Sequence, residues 1–157
     1  MRDLYTDAQS RGIKASTDLH DWDGVNGYHE EFAFRSDLVF LSTAALRGHH
    51  EKVMRSILAQ GRAEVVIAMA GSEGSRLLER ATGKVQQVGL AGLGRPIVDS
   101  NGAGDAFVAG FLHAHAEGIP PNVCMRMGAI AGEYACRVSC TAEEFLARER
   151  LAAYAVA

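Results

Sequence analysis

The sequence predicts an α/β protein with a mainly parallel sheet, helices on both faces and a short antiparallel extension. Three observations carry this expectation. Two uninterrupted apolar runs, Leu38-Val39-Phe40-Leu41 and Val65-Val66-Ile67-Ala68-Met69, enclose one amphipathic helical stretch, as parallel strands buried on both faces do. Short segments joined by glycine turns follow between Ala70 and Val88, the pattern of a hairpin. A third glycine turn, Asp99-Ser100-Asn101-Gly102-Ala103-Gly104-Asp105-Ala106-Phe107, then sits between a short extended segment and a helix.

The elements are expected in the following order. Residues Met1 to Gln9 read as a helix closed by Arg11-Gly12, and Ile13 to Leu19 as a strand ending in acid. His20 to Gly27 is a polar loop, and Glu30 to Phe34 gives one or two helical turns. The strand Leu38–Leu41 leads into a helix over Thr43 to Gln60, with Leu46, Val53, Ile57 and Leu58 on one side and Gly61 as its stop. After the strand Val65–Met69, Gly71 and Gly74 turn the chain into Arg76–Glu79, and Gly83 turns it into Val85–Val88. Gly89-Leu90-Ala91-Gly92-Leu93-Gly94 is not a dinucleotide fingerprint, because the chain stays extended after it and no helix opens there. Arg95-Pro96-Ile97-Val98 reads as a short strand, and Ala106 to Glu117 as a helix stopped by Gly118. Pro120-Pro121 opens a helix over Asn122 to Arg137, and Thr141-Ala142-Glu143-Glu144 opens a last one through Tyr154.

Length and composition bound the function. The 157 residues suit one domain, and 48% hydrophobic with 22% charged residues is ordinary for a globular chain. A net charge of -3 gives no reason to expect nucleic acid or an anionic membrane as partner. No apolar run is long enough to span a bilayer, and the polar N-terminus is unlike a signal peptide, so a cytoplasmic location is expected. Cys124, Cys136 and Cys140 lack paired spacing and read as buried small hydrophobes, and no metal site is expected from the histidines.

The chemistry concentrates in the third glycine turn. Two glycines at a helix start let the backbone turn and bare its amides, and those amides with the helix dipole form an anion site. Asp105 inside such a site would repel a phosphate unless it had work there. A carboxylate that takes a proton from a hydroxyl attacking a phosphoryl group accounts for it. An aspartate that only complements the helix dipole accounts for it as well.

The stretch Asp99 to Phe107 resembles the C-terminal signature of the PfkB/ribokinase family of carbohydrate kinases, D-T-x-G-A-G-D-x-F, with serine in place of threonine at 100. The rest of the chain resembles the C-terminal half of that family in the same order. The resemblance implies a ribokinase-like α/β/α three-layer sandwich, here its C-terminal nucleotide-binding part. It implies transfer of the ATP γ-phosphoryl group to a hydroxyl of a small sugar or nucleoside. Asp105 would be the catalytic base, with the amides of Gly102, Ala103 and Gly104 as the anion hole. Gly71, Gly74 and Asn101 would join Gly102 and Gly104 in binding the nucleotide. Asp18 matches a substrate-side position and Asp99 a monovalent-cation ligand, while magnesium would arrive with ATP and be held by its phosphates and water. The helix after Pro120-Pro121 would wall the adenine pocket.

Bland readings stay open beside these: Asp18 ends a strand, Gly71 and Gly74 serve hairpin geometry, and Gly128, Ala129, Ala131 and Gly132 let two helices pack closely. The chain also departs from the family pattern. Met69 replaces a hydroxyl residue near the phosphates, Ser42-Thr43-Ala44-Ala45 stands where N-x-x-E is usual, and the glycine of the cation loop falls near Cys140. The family's N-terminal G-G-x-x-x-N signature and its sugar-binding residues are not found. Two alternatives to a kinase therefore remain: a non-catalytic nucleotide-binding remnant, and a subunit completed by a separate N-terminal half. By itself the chain is expected to bind adenine nucleotide weakly, if at all, to lack sugar kinase activity and to self-associate through the face the missing half would cover.

Overall fold

The computed structural model describes residues 2–94, 96–137 and 146–156. In chain order the elements are α1 (Arg2–Ser10), β1 (Ser16–Asp18), α2 (Gly27–Arg35), β2 (Leu38–Ser42), α3 (His50–Gln60), β3 (Val65–Met69), β4 (Ser75–Glu79) and β5 (Val85–Val88), then α4 (Ala103–Ala116), α5 (Pro121–Ala135) and α6 (Arg148–Val156). One sheet runs β1-β2-β3-β4-β5. The first three strands are parallel, with Ser16 opposite Leu38 and Leu38 opposite Val65. The links from β3 to β4 and from β4 to β5 are too short for a crossover, so these strands turn back on their neighbours. Arg80 N–H accordingly donates to Glu64 O at 2.8 Å, bringing the end of β4 to the start of β3. The mixed α/β sheet is the one the apolar runs and glycine turns predict.

Several boundaries differ from the sequence reading. The helix expected over Thr43 to Gln60 is broken: a 3-10 turn spans Ala44–Leu46, then Arg47 and Gly48 adopt left-handed φ of 45° and 84° before α3 begins. Gly48 is the residue that makes this break cheap. Helix α2 starts earlier than expected, because Asn26 Oδ1 accepts from Tyr28 N–H at 3.0 Å and caps it. The loop before it is not simply polar: Trp22 is 3% exposed and its indole N–H donates to Asn26 O. Pro96-Ile97-Val98 is not a strand. Its β-branched residues favour extended backbone, but among the described residues no neighbouring strand pairs with it, and Ile97 is 63% exposed. The capping pattern Thr141–Glu144 and Cys140 lie outside the described residues, and α6 itself is described from Arg148.

The chain groups into two units, Met1–Ala70 with Arg76–Gln86 and Gly71–Ser75 with Gln87–Ala157. In the first, Val39 and Leu41 of β2 and Val66 and Ala68 of β3 join Trp22, Leu46, Met54 and Ile57 in one core. The alternate residues Leu38, Phe40, Val65 and Ile67 are buried too, so both strands are covered on both faces. The polar centre of this unit is Asp37, only 2% exposed. Its Oδ2 accepts from Ala15 N–H at 2.8 Å, and its Oδ1 from Arg62 Nε–H at 2.8 Å. Its backbone exchanges further bonds with Ala15 O and Glu64 N–H, each at 2.8 Å. One residue thus ties together the segments that enter three adjacent parallel strands.

In the second unit α4 and α5 approach backbone to backbone. A Cβ on Gly110 would stand 2.8 Å from both the Ala131 Cβ and the Met127 carbonyl. One on Gly128 would meet Phe107 O at 2.9 Å, and one on Gly132 would meet Ala103 O at 3.0 Å. The small residues of α5 therefore serve packing at Gly128 and Gly132. Pro121 opens α5 at its first turn, where its missing N–H costs nothing. Cys124 and Cys136 are buried.

Four outcomes are expected. Arg62→Ala should lower stability in urea unfolding by about 3 kcal/mol, because it strands a buried carboxylate. Asp37→Asn should cost less, since the half-exposed guanidinium regains water; the reverse order would mean the carboxylate is not the controlling group. Gly110→Val should cost ~2–3 kcal/mol by forcing α4 and α5 apart; an unchanged midpoint would show that the helices yield freely. Burial pushes the Cys124 thiol up to about 11, so at pH 8 it carries roughly a hundredfold less thiolate than an exposed cysteine. Iodoacetamide should label it only after denaturation, and rapid labelling of the folded chain would contradict its burial.

Candidate functional site

The site is assembled from the turn that feeds α4. Asp99 Oδ1 accepts from Asn101 N–H at 3.0 Å, and its Oδ2 from the Asn101 side-chain amide at 3.4 Å. This closes the chain on itself two residues before Gly102, which takes the left-handed conformation, φ 76°, and serves as the N-cap of α4 with no side-chain bond to the helix. Gly104 is the second helical residue, so the turn rests on Gly102 alone. Ala103 N–H donates to Ser100 O at 3.2 Å, and Ala106 N–H makes the first helical bond, to Gly102 O at 2.9 Å. Among the described residues the amides of Gly104 and Asp105 have no backbone partner. Two N–H groups at the positive end of a helix of 14 residues are thus left for an anion. Asp105 stands beside them in the first turn with an exposed side chain.

Gly102, Ala103, Gly104 and Asp105 are therefore brought together, with Asn101 exposed at their edge. Asp99 is occupied in shaping the turn. The segment before it is tied to α5: Gly92 and Leu93 N–H donate to the Glu133 carboxylate at 2.8 and 2.6 Å. Val98 and Asp99 N–H donate to Cys136 O at 2.7 and 3.2 Å. Sequence reasoning missed Glu133. Its signal is a lone acid directly after the run Gly128 to Gly132, which is small or apolar throughout.

The other predicted positions have separate settings. Gly71 has φ 56°, and open space where a Cβ would stand. Gly74 has φ 82° and could not carry a Cβ, which would lie 2.2 Å from Val88 O, so hairpin packing alone requires glycine there. Asp18 belongs to the other unit and ends β1 at the carboxyl edge of the parallel strands, the edge where open α/β sheets bind ligands. Its Oδ1 accepts from His20 N–H at 2.9 Å, across a left-handed His20 of φ 48°. Ser42 and Met69 end β2 and β3 at the same edge.

Among the described residues no three His, Cys, Asp or Glu side chains converge as metal ligands. No helix of the described residues is long and apolar enough to cross a membrane. A cavity of about 330 Å³ lies among Ala106 and Gly110 of α4, Tyr134 of α5 and Leu151 of α6, and does not include Asp105 or the turn glycines.

The model of the pfkB family of carbohydrate kinases matches residues 32–145. The chain is 46% identical over 129 residues to acarbose 7(IV)-phosphotransferase of Actinoplanes sp., a match spanning 82% of this chain and 43% of that protein. It superposes on a microbiome-derived acarbose kinase with a TM-score of 0.90 and 43% identity, over 99% of this chain and 52% of the other. Ribokinase from Arabidopsis thaliana, solved with ribose and ATP, shares the fold at a TM-score of 0.80 and 20% identity, over 98% of this chain and 51% of that one. The chain thus spans about half the length of these relatives. It has a ribokinase-like α/β fold, and it belongs to the pfkB family of carbohydrate kinases.

Proposed function

We propose that this chain is the nucleotide-binding part of an ATP-dependent carbohydrate kinase, in which Asp105 is the catalytic base. The observation that carries the reading is an exposed carboxylate set beside two amides without backbone partners, on a helix whose cap is a left-handed glycine. Of the amides expected to line the anion hole, those of Gly102 and Gly104 are the donors we assign, since Ala103 N–H is held by Ser100 O at 3.2 Å, and the bare N–H of Asp105 extends them. Their dipoles stand ready where charge gathers on the transferring group. Asp105 takes the proton of the attacking hydroxyl, and its carboxylate has no competing use in the turn.

An ATP phosphate fits this turn, because Gly102 places no side chain over the first amides of α4. Magnesium would be held by the phosphates and water, and it would supply neutralisation of phosphate charge. Gly71, whose Cα faces open space, and Asn101 are the further nucleotide contacts we assign, and Asp18 is assigned to the acceptor side. The 46% and 43% identities to two acarbose-phosphorylating enzymes favour an acceptor of that kind, an oligosaccharide or its mimic, over ribose or a nucleoside. The 43–52% coverage of those relatives favours one second reading, a nucleotide-binding half that needs the rest of such a kinase for turnover.

In the full-length protein, Asp105→Asn is expected to lower turnover with ATP and acarbose by ~10²–10⁴-fold while leaving ATP affinity nearly unchanged. Mass spectrometry of the phosphorylated sugar reads the outcome. A variant within tenfold of wild type would remove Asp105 from the base role. The 157-residue chain, given ATP, magnesium and acarbose, separates the two readings: phosphorylated product above the Asp105→Asn control would show that the chain needs nothing further.

A further inference from the structure

The chain between β5 and Asp99 has no regular structure among its described residues, and most of it is exposed. It nevertheless runs a fixed course, because its backbone is tied twice to α5. The first tie is Glu133, whose two carboxylate oxygens each take one amide, Gly92 N–H at 2.8 Å and Leu93 N–H at 2.6 Å. The second is Cys136 O, which accepts from Val98 and Asp99 N–H. Glu133 and Cys136 are three residues apart, so both ties fall within about one turn of α5. The neighbouring Gly132 is the residue whose Cβ would press on Ala103 O, in the first turn of α4. The ties and the anion site therefore share one stretch of helix.

We infer that Glu133 is a positioning residue: its carboxylate clamps Gly92 and Leu93 to α5, beside the Cys136 tie of Val98 and Asp99, and so holds the Asp99–Gly102 turn that presents the α4 amides. The significance of that turn rests on the kinase reading above. The chemistry is that of an anion nest with a built-in anion. Gly92, at φ 73°, points two successive amides at one carboxylate. Charge-assisted bonds of this kind are short and strong, and the Glu133 side chain is only 13% exposed, so water competes poorly. Arg137, 7% exposed, lies 3.8 Å from the carboxylate. Its Nε and Nη2 make no hydrogen bond, which leaves its charge facing Glu133 and the Tyr134 ring.

The test is amide-resolved hydrogen exchange on the 157-residue chain and on its Glu133→Ala and Glu133→Gln variants. Glu133→Ala should speed exchange at Gly92 and Leu93 by about tenfold or more. It should also speed exchange at Asn101 and Ala103, whose amides are bonded within the turn, and leave Phe111 and Ala114 in mid-α4 unchanged. Glu133→Gln keeps one acceptor oxygen and should protect one of the two strap amides. Faster exchange confined to Gly92 and Leu93, or none at all, would overturn the inference. A parallel titration of the full-length protein and its Glu133→Ala variant with magnesium ATP separates it from the kinase reading. Wild type that binds no nucleotide, with the exchange pattern present, would sink the kinase reading and leave the clamp standing. Wild type that binds nucleotide, with Glu133→Ala equal to it in affinity, would sink the clamp's role and leave the reading intact.

Discussion

Helix α4 begins where it does because α5 offers it no side chain at two positions. With hydrogen atoms at Gly128 and Gly132, the carbonyls of Phe107 and Ala103 can lie against the α5 backbone. That contact locates the first turn of α4, and so the bare amides and Asp105. Ordinary side-chain packing would leave some play through rotamer changes, whereas backbone against backbone has none. The anion site is in this sense a property of a helix pair, although all of its donors belong to one helix.

Five carboxylates among the described residues are spent on backbone amides. Asp23 accepts from Val25 and Asn26 N–H, and those two bonds hold its carboxyl below the usual range. Asp18, Asp37, Asp99 and Glu133 each take at least one amide in the same way. Each of these bonds fixes a loop or the start of a strand. Among the described residues Asp105 accepts from no amide, and it stands exposed in a turn that another aspartate has already shaped. A carboxylate not needed for architecture, set where amides are also unclaimed, is the local contrast on which the proposed site rests.

The parts of the fold legible in the sequence were those set by short-range pattern. The runs Leu38–Leu41 and Val65–Met69 are apolar because both faces are covered, and their strands agree with expectation almost residue for residue. The turn from Asp99 to Asp105 was legible because its glycine and its acid are both local requirements. What was not legible depends on partners distant in sequence. Ile97 and Val98 look like strand residues, and only the absence of a pairing neighbour decides otherwise. Whether Gly132 served a pocket or a packing contact was open until Ala103 O was found against it. Glu133 clamps a loop some forty residues upstream, a relation with no short-range pattern.

The glycines of α5 also bear on how the chain acquires its fold. Each costs an isolated helix about 1 kcal/mol relative to alanine, so α5, with Gly128 and Gly132, is a poor helix until α4 covers it. Helix α4 carries the same handicap at Gly110, at the point where α5 presses closest. Neither segment gains much by becoming helical first. During synthesis α4 leaves the ribosome ahead of α5, so the turn at its start gains its main packing partner only when the following helix emerges.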